Sequence, residues 1–389
     1  MSKRPRVLRI VTVPLTFETI LTGQIRFLNE NGYEVMMASD TSNNIDALTT
    51  RENCPHFTIN FRRKINLYQD FVALIQTYRL IQKLRPDVVH TQTPKAGLLG
   101  MAAAWLLGVP VRLHTVGGLP LLEKPLPFRL LLICTEWLTY VFATRVFVNS
   151  FELKSYMENN IYGSHSKFKI IGQGSTNGID SDYFKRSDEL EDLANKLRVK
   201  FGFADSDFVW IYVGRITRDK GITELVQAFL SLNQENQTTK LIILGGFDVE
   251  SDFVLPKTEQ IIKGHSCIQH IGFQADVRPY LVLADAFVFP SYREGLPNAL
   301  MEAACIETPI VASDVMGCRE VVQHEVSGLL VSPKNVSSLV QSMRRLQTNP
   351  ALRRRLGQTA RALVSTKYER QPLWQAILTA YHDAINFKI

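Results

Sequence analysis

The feature that most constrains this chain is a rhythm. Short, almost wholly apolar runs alternate with segments of helix length. "VLRIVTV" (7–13), "EVMMAS" (34–39), "DVVHTQ" (87–92), "VRLHTV" (111–116), "RVFVNS" (145–150) and "FKIIG" (168–172) read as strands. Strands without polar alternation are buried on both faces, which calls for a parallel sheet covered by helices on each side. The intervening segments, such as 70–84 and 96–107, carry the helical period.

The rhythm then restarts with "FVWIYVG" (208–214), "KLIILGG" (240–246), "IQHIGF" (268–273), "AFVFPS" (286–291), "PIVAS" (309–313) and "GLLVS" (328–332). Between the halves lies the polar stretch "STNGIDSDYFKRSDELED" (175–192). The expectation is an α/β chain of two doubly wound, Rossmann-like parallel-sheet domains facing a cleft, with ligands at the carboxyl ends of the strands. The boundaries expected are 1–174, a linker at 175–192, 193–366, and a C-terminal helix over 367–389. That helix has two readings, packing on its own domain or crossing back to the first.

A length of 389 residues suits two domains. The charge is moderately basic, 44 Lys and Arg against 37 Asp and Glu, or +7. This suits nucleotides, lipid phosphates or an acidic membrane surface, as well as a plain solvated surface. The basic residues are scattered and form no recognised nucleic-acid motif. Cys54, Cys134, Cys267, Cys305 and Cys318 are odd in number and lack metal-ligand spacing, which points to reduced thiols in a cytoplasmic compartment. The apolar run 126–148 carries Arg129, Glu136 and Arg145, so it reads as a buried or interfacial helix and a strand, not a membrane span.

The segment "SYREGLPNALMEA" (291–303) holds Glu294 before Pro297 and Glu302 beyond it. Proline favours the first position of a helix and disfavours helix at the residue before it, so a helix starts at about Pro297. The backbone amides of Asn298, Ala299 and Leu300 then head that helix, a ready phosphate site. Carboxylates on either side of a phosphate would repel it, but each can accept sugar hydroxyls. One sugar on each side of a diphosphate describes a nucleotide-sugar. Taken alone, the pair reads equally as a loop charge and a solvated helix residue.

"PSYREGLPNALMEAACIETPIVASD" resembles the Glu-x7-Glu signature of the GT4 family of retaining glycosyltransferases, which have the GT-B fold. "VGRITRDKGI" (213–222) resembles the family's diphosphate-binding segment, and "NGID" (177–180) its linker. "HTQTPKAGLLG" (90–100) and "RLHTVGGLP" (112–120) resemble the subgroup that assembles bacterial capsule, O-antigen and other lipid-linked glycans. These motifs follow one another over nearly the whole chain.

The resemblance implies that the second domain binds a nucleotide-sugar through Arg215, Lys220, Phe273, Glu294, Gly295, Asn298, Ala299, Leu300 and Glu302. Arg215 and Lys220 would meet the diphosphate, Glu294 the sugar and Glu302 the ribose. Gly23 is carried over with them, although the family's Gly-rich loop is missing here. Catalysis would involve His114, Arg215, Lys220 and Glu294, and the acceptor would meet His90, Lys95, Gly117 and Gly118. A structural histidine in a turn is the other reading of His114. Arg218 and Asp219 are expected to be solvated.

The donor implied is a UDP-sugar such as a UDP-N-acetylhexosamine, with a GDP-sugar as the alternative. The acceptor implied is a polyprenyl-diphosphate-linked saccharide at the cytoplasmic face of the inner membrane. A GxGxxG fingerprint is absent after the first strand, which counts against NAD or FAD. Asp180–Asp182 and Asp205–Asp207 lie in the linker and just before a strand, so they read as caps and turns; neither a metal nor another cofactor is expected. The basic "FRRKIN" (61–66) and the apolar "LLEKPLPFRLLL" (121–132) suggest a membrane-touching face, with core packing as the equal alternative. "RRLQTNPALRRRLG" (344–357) reads as helix surface. The rival functions are a GT-B nucleotide-sugar epimerase and a catalytically silent scaffold subunit.

Overall fold

The computed structural model of the chain describes residues 4–62, 65–123, 125–161, 165–248 and 252–386. They divide into two compact units, 1–178 with 370–389, and 179–369.

The first unit is built on seven parallel strands: β1 (Arg6–Ile10), β2 (Glu34–Ser39), β3 (His56–Thr58), β4 (Val88–Gln92), β5 (Val111–Val116), β6 (Arg145–Val148) and β7 (Phe168–Lys169), in the order β3-β2-β1-β4-β5-β6-β7. Side chains alternate faces along each strand. Val7, Val35, Met37, Val88 and Leu113 pack on one face, and Leu8, Met36, Ala38, Val89 and Val116 on the other. The helix Arg370–Asn386 covers the first of these faces with Leu373, Trp374, Ile377 and Tyr381, which recur at helical spacing. Its polar tips are satisfied too: Trp374 Nε1 donates to Asn177 Oδ1 at 2.8 Å. The C-terminal helix therefore belongs with the first sheet.

The second unit carries six parallel strands: β8 (Phe208–Val213), β9 (Thr239–Leu244), β10 (Ile268–Gly272), β11 (Ala286–Phe289), β12 (Ile310–Ser313) and β13 (Leu329–Val331), in the order β10-β9-β8-β11-β12-β13. The order runs outward in both directions from β8 and β11, so these neighbours form the point where the winding reverses, the usual ligand position in such sheets. The polar stretch 175–192 is not a free linker. The Ile179 N–H donates to Tyr368 O at 2.8 Å, and Ile179 and Phe184 are buried in the second core. Ser187 caps the helix Asp188–Lys200 by accepting from Leu190 N.

Candidate active site

Two loops leave the carboxyl ends of β8 and β11. The first runs from Gly214 to Lys220 and turns at Gly221 into the helix Ile222–Glu235. The second runs from Pro290 to Pro297 and enters the helix Asn298–Cys305. They are packed too tightly for a side chain at the turn. Gly221 has φ +68°, and a Cβ there would lie 2.0 Å from Pro290 O. The Tyr292 N–H donates to Asp219 O at 2.8 Å, joining one loop to the other.

This contact brings together residues far apart in sequence. Lys220 Nζ donates to Glu294 Oε1, with both side chains largely buried. Arg215, which is half exposed, holds Asp248 beyond β9 with Nη1 3.0 Å from Oδ2. Phe273, at the carboxyl end of β10, exposes 62 % of its surface. Glu302 lies in the helix Asn298–Cys305, and its charge helps to raise the pKa of Tyr183, after burial, Asp276 and Asp180 and against Arg278. The second unit thus lines up a cation pair, a carboxylate and an exposed aromatic ring along one edge of its sheet.

Two expectations for these loops need correction. The helix begins at Asn298 with Pro297 as its cap, close to the expected start, but the Leu300 N–H donates to Pro297 O at 3.2 Å. That amide is used by the first tight turn, leaving Asn298 and Ala299 to head the helix, with Gly295 buried just before. Asp219 is not solvated: it is 9 % exposed, and its Oδ1 accepts from Thr217 Oγ1 at 2.6 Å. Arg218, in contrast, is mostly exposed.

The first unit places its candidates differently. His114 lies inside β5, two residues before the strand ends, and is 2 % exposed. Its Nδ1 is 2.8 Å from Thr91 Oγ1, and its ring packs so close to the helix Pro94–Leu106 that a Cβ on Gly97 would come within 2.5 Å. Burial pushes its pKa down to about 3 against the bond from Thr91, so the ring is neutral. His90 is buried on the opposite face. Arg9 Nη1 donates to His90 Nδ1 at 2.8 Å, and Nε2 is 2.7 Å from Thr115 Oγ1. Nδ1 accepts, so Nε2 carries the proton. Burial, then Arg9 and His114, hold the pKa of His90 well below the usual histidine range.

Lys95 pairs with Asp70 at 2.6 Å in the first turn of its helix. Gly117 and Gly118 follow β5, and Asn149 Nδ2 donates to Gly117 O at 3.2 Å. Gly23 is the cap of the helix Gln24–Glu30, and its amide donates to Glu52 Oε1 at 3.0 Å. A fully buried carboxylate already occupies that helix start, so it is no open phosphate site.

Asp180 Oδ1 accepts from the Tyr183 N–H, and Asp207 Oδ2 from the Ala204 N–H, as turns do. Among the described residues no cluster of His, Cys, Asp and Glu has the geometry to hold a metal. Arg344 pairs with Glu235 and Arg345 with Glu325 on the second unit's surface. Parts of 61–66 and 121–132 lie outside the described residues. No described helix is long and apolar enough to cross a membrane.

Sequence reasoning missed Asp219, Arg293 and Asp248. The available signal was position: Asp219 precedes Lys220 and Arg293 precedes Glu294.

Comparison with known proteins accords with this geometry. Residues 194–363 match the family described as "Glycosyl transferases group 1", and residues 9–150 match "Glycosyl transferase 4-like". The capsular polysaccharide biosynthesis glycosyltransferase CapM of Staphylococcus aureus is 29 % identical, over 98 % of this chain and 97 % of its own. An Escherichia coli UDP-Gal:alpha-D-GlcNAc-diphosphoundecaprenol alpha-1,3-galactosyltransferase is 28 % identical over 75 % of this chain and 74 % of its own. Among solved structures, Anabaena HepE in complex with UDP-glucose superposes with a TM-score of 0.82 at 21 % identity, covering 97 % of this chain and 99 % of its own. The sucrose-phosphate synthase of Thermosynechococcus elongatus gives 0.81 at 20 % identity, over 99 % and 100 %. The chain belongs to the GT4 family and is a glycosyltransferase of the GT-B fold.

Proposed function

We propose that the protein transfers a sugar, with retention of anomeric configuration, from a UDP-sugar to a polyprenyl-diphosphate-linked saccharide in bacterial surface-polysaccharide synthesis. The observation that carries this is the Lys220–Glu294 pair beside the start of the helix Asn298–Cys305. A donor replaces that pair with two better-matched partnerships. Its diphosphate takes Lys220 and Arg215, whose charges stabilise the leaving nucleotide. Its sugar hydroxyls take Glu294, and its ribose takes Glu302. The amides of Asn298 and Ala299 add the positive end of a helix. Two cations fill the charge role a divalent metal has elsewhere.

His114 is neutral inside the sheet, so it carries no positive charge and is no general acid at neutral pH in this reading. The leaving phosphate accepts the acceptor's proton on the face it departs from, which gives retention. The Escherichia coli relative, a galactosyltransferase using UDP-Gal and a diphosphoundecaprenol-linked acceptor, supports UDP and a diphospholipid acceptor. Exposed apolar side chains on the first unit, Leu67, Tyr68, Leu126 and Leu130 among them, support contact with the cytoplasmic face of the inner membrane.

Calorimetry with UDP and a panel of UDP-sugars in EDTA tests the donor site. Micromolar binding by the wild type, lost in Lys220→Ala, is expected. Release of UDP that requires a lipid-linked acceptor, with an unchanged anomeric configuration by NMR, tests the reaction. UDP binding that needs Mn²⁺ and ignores Lys220 would overturn the reading.

A further inference from the structure

Two ion pairs cross between the same two loops, and the proposed function uses only one. Asp219 is the neighbour of Lys220, and Arg293 the neighbour of Glu294. Arg293 Nη2 lies 2.6 Å from Asp219 Oδ2. The charges therefore alternate: Asp219 with Arg293, and Lys220 with Glu294.

Asp219 is anchored on every side. Its carboxylate accepts from Thr217 Oγ1 at 2.6 Å, and its amide donates to Asp252 Oδ2 at 2.7 Å. Its carbonyl accepts from the Tyr292 N–H at 2.8 Å and from Ser291 Oγ at 3.3 Å. One residue thus holds both the backbone and the side chain of the opposite loop. Arg293 is less well provided for. Its Nε is buried and has no hydrogen-bond partner among the described residues. Asp219 is the carboxylate that balances it, and burial's upward push on that carboxyl is outweighed by Thr217 and Arg293, so it stays ionised.

We propose that Asp219 and Arg293 are positioning residues: their ion pair keeps Lys220 and Glu294 in register and keeps Arg293 from capturing Glu294 when a donor opens the second pair. The inference rests on the donor site proposed above. Lys220 must leave Glu294 for the diphosphate. At that moment Glu294 has two candidate partners, the sugar hydroxyls and the adjacent guanidinium. Arg293 engaged by Asp219 leaves Glu294 to the sugar. Arg293 without Asp219 is a permanent cation beside a released carboxylate, and a charged hydrogen bond outcompetes a neutral one.

The consequence is a split that general loosening would not give. In Asp219→Asn, UDP binds as tightly as in the wild type or more tightly, because a cation has lost its counter-charge. The extra affinity that the sugar adds to UDP disappears, and kcat falls on the order of a hundredfold because the sugar is misplaced. In Asp219→Asn/Arg293→Gln both charges are gone, Glu294 is again available, and most of the sugar-dependent affinity returns. Arg293→Lys keeps the charge pair and stays near wild type.

The experiment is calorimetry with UDP and with the UDP-sugar that the wild type prefers, on these four proteins, alongside steady-state kcat and KM and thermal unfolding. Loss of the UDP-sugar advantage in Asp219→Asn with UDP binding kept, and its return in the double variant, supports the inference. A parallel loss of both affinities, or an unchanged ratio of the two, overturns it, as does a double variant no better than the single. A wild type that binds no UDP-sugar overturns the donor site itself, and this inference with it.

Discussion

Lys220 Nζ and a carboxylate oxygen of Glu294 are hydrogen-bonded although 74 residues separate them in the chain. The pair marks where β8 and β11 meet, and it makes each residue the lock on the other. Lys220→Ala removes the diphosphate's cation and is expected to weaken UDP binding at least about tenfold, equivalent to about 1.4 kcal/mol. Glu294→Gln frees the ammonium. It is expected to leave UDP affinity equal or higher while lowering kcat by roughly a hundredfold or more, the scale of losing one well-placed polar group. Isothermal titration and initial rates separate the two. Equal losses of UDP affinity in both variants would mean that Glu294 does not face the sugar.

Gly221 is the tightest point of this arrangement. Its φ of +68° lies where an alanine is strained, and the added Cβ would meet Pro290 O at 2.0 Å. Gly221→Ala is expected to lower stability by more than about 2 kcal/mol, since backbone strain and a backbone clash add. UDP affinity falls with it, because the loops must part. Thermal unfolding and UDP titration read the two effects, and an unaffected variant would show that the loops are not held this closely.

Buried groups of the first unit make stability depend on pH. His90 and His114 are neutral in the folded state, with His114 down at about 3 from 6.5. As pH falls through about 6.5 the unfolded chain binds protons that the folded one refuses, so stability declines by about 1.4 kcal/mol per pH unit for each histidine. Glu136 opposes this. Burial lifts its pKa to about 7, against the hydroxyl of Tyr140, so between 4.5 and 7 the folded state holds a proton that the unfolded state loses. The two histidines thus cost stability as pH falls below about 6.5, and Glu136 offsets part of that loss down to about pH 4.5. Glu136→Gln removes the opposition and is expected to steepen the fall in stability between pH 6.5 and 4.5. Denaturant melts of the variant across that range check this, and a flat profile would rule it out.

These features differ in how far the sequence announces them. Strands such as β8, with Val209 to Tyr212 wholly buried, write their own signal because each face needs an apolar side chain. β3 has three residues, His56 to Thr58, none of them buried, so no apolar run betrays it. The C-terminal helix shows its period, but its destination depends on where Trp374 and Tyr381 find Asn177 and Arg9. The Glu-x7-Glu pair was legible, whereas its link to Lys220 depends on strand order, which periodicity does not encode. Asp219 looked solvated because its partners sit in other loops: Arg293 beyond β11 and Asp252 beyond β9. The strand of His114 is legible as "VRLHTV", but its ring's packing against Thr91 and the helix at Gly97 depends on strand order, which the sequence does not show.

The helix Leu126–Phe142 carries the last prediction. Leu126, Leu130, Cys134, Trp137 and Val141 fall at spacings of three and four, and all are exposed. The outward stripe of this helix is therefore apolar along its whole length, while Glu136, Thr139 and Tyr140 face inward. A helix patterned this way suits a position in the plane of a membrane surface, with the stripe in the acyl boundary. Leu130 and Leu131 are each about half exposed. Inserting two leucines is worth roughly 3 kcal/mol, or about a hundredfold in partitioning. Leu130→Glu/Leu131→Glu is therefore expected to abolish co-sedimentation with vesicles containing anionic lipid. It should leave melting temperature and UDP affinity unchanged, because neither side chain supports a core or the donor loops. Transfer to an acceptor with a long polyprenyl chain in vesicles should fall, and transfer to a short-chain analogue in solution should not. Vesicle binding equal to the wild type's would place the membrane contact elsewhere and return this stripe to packing against a protein partner.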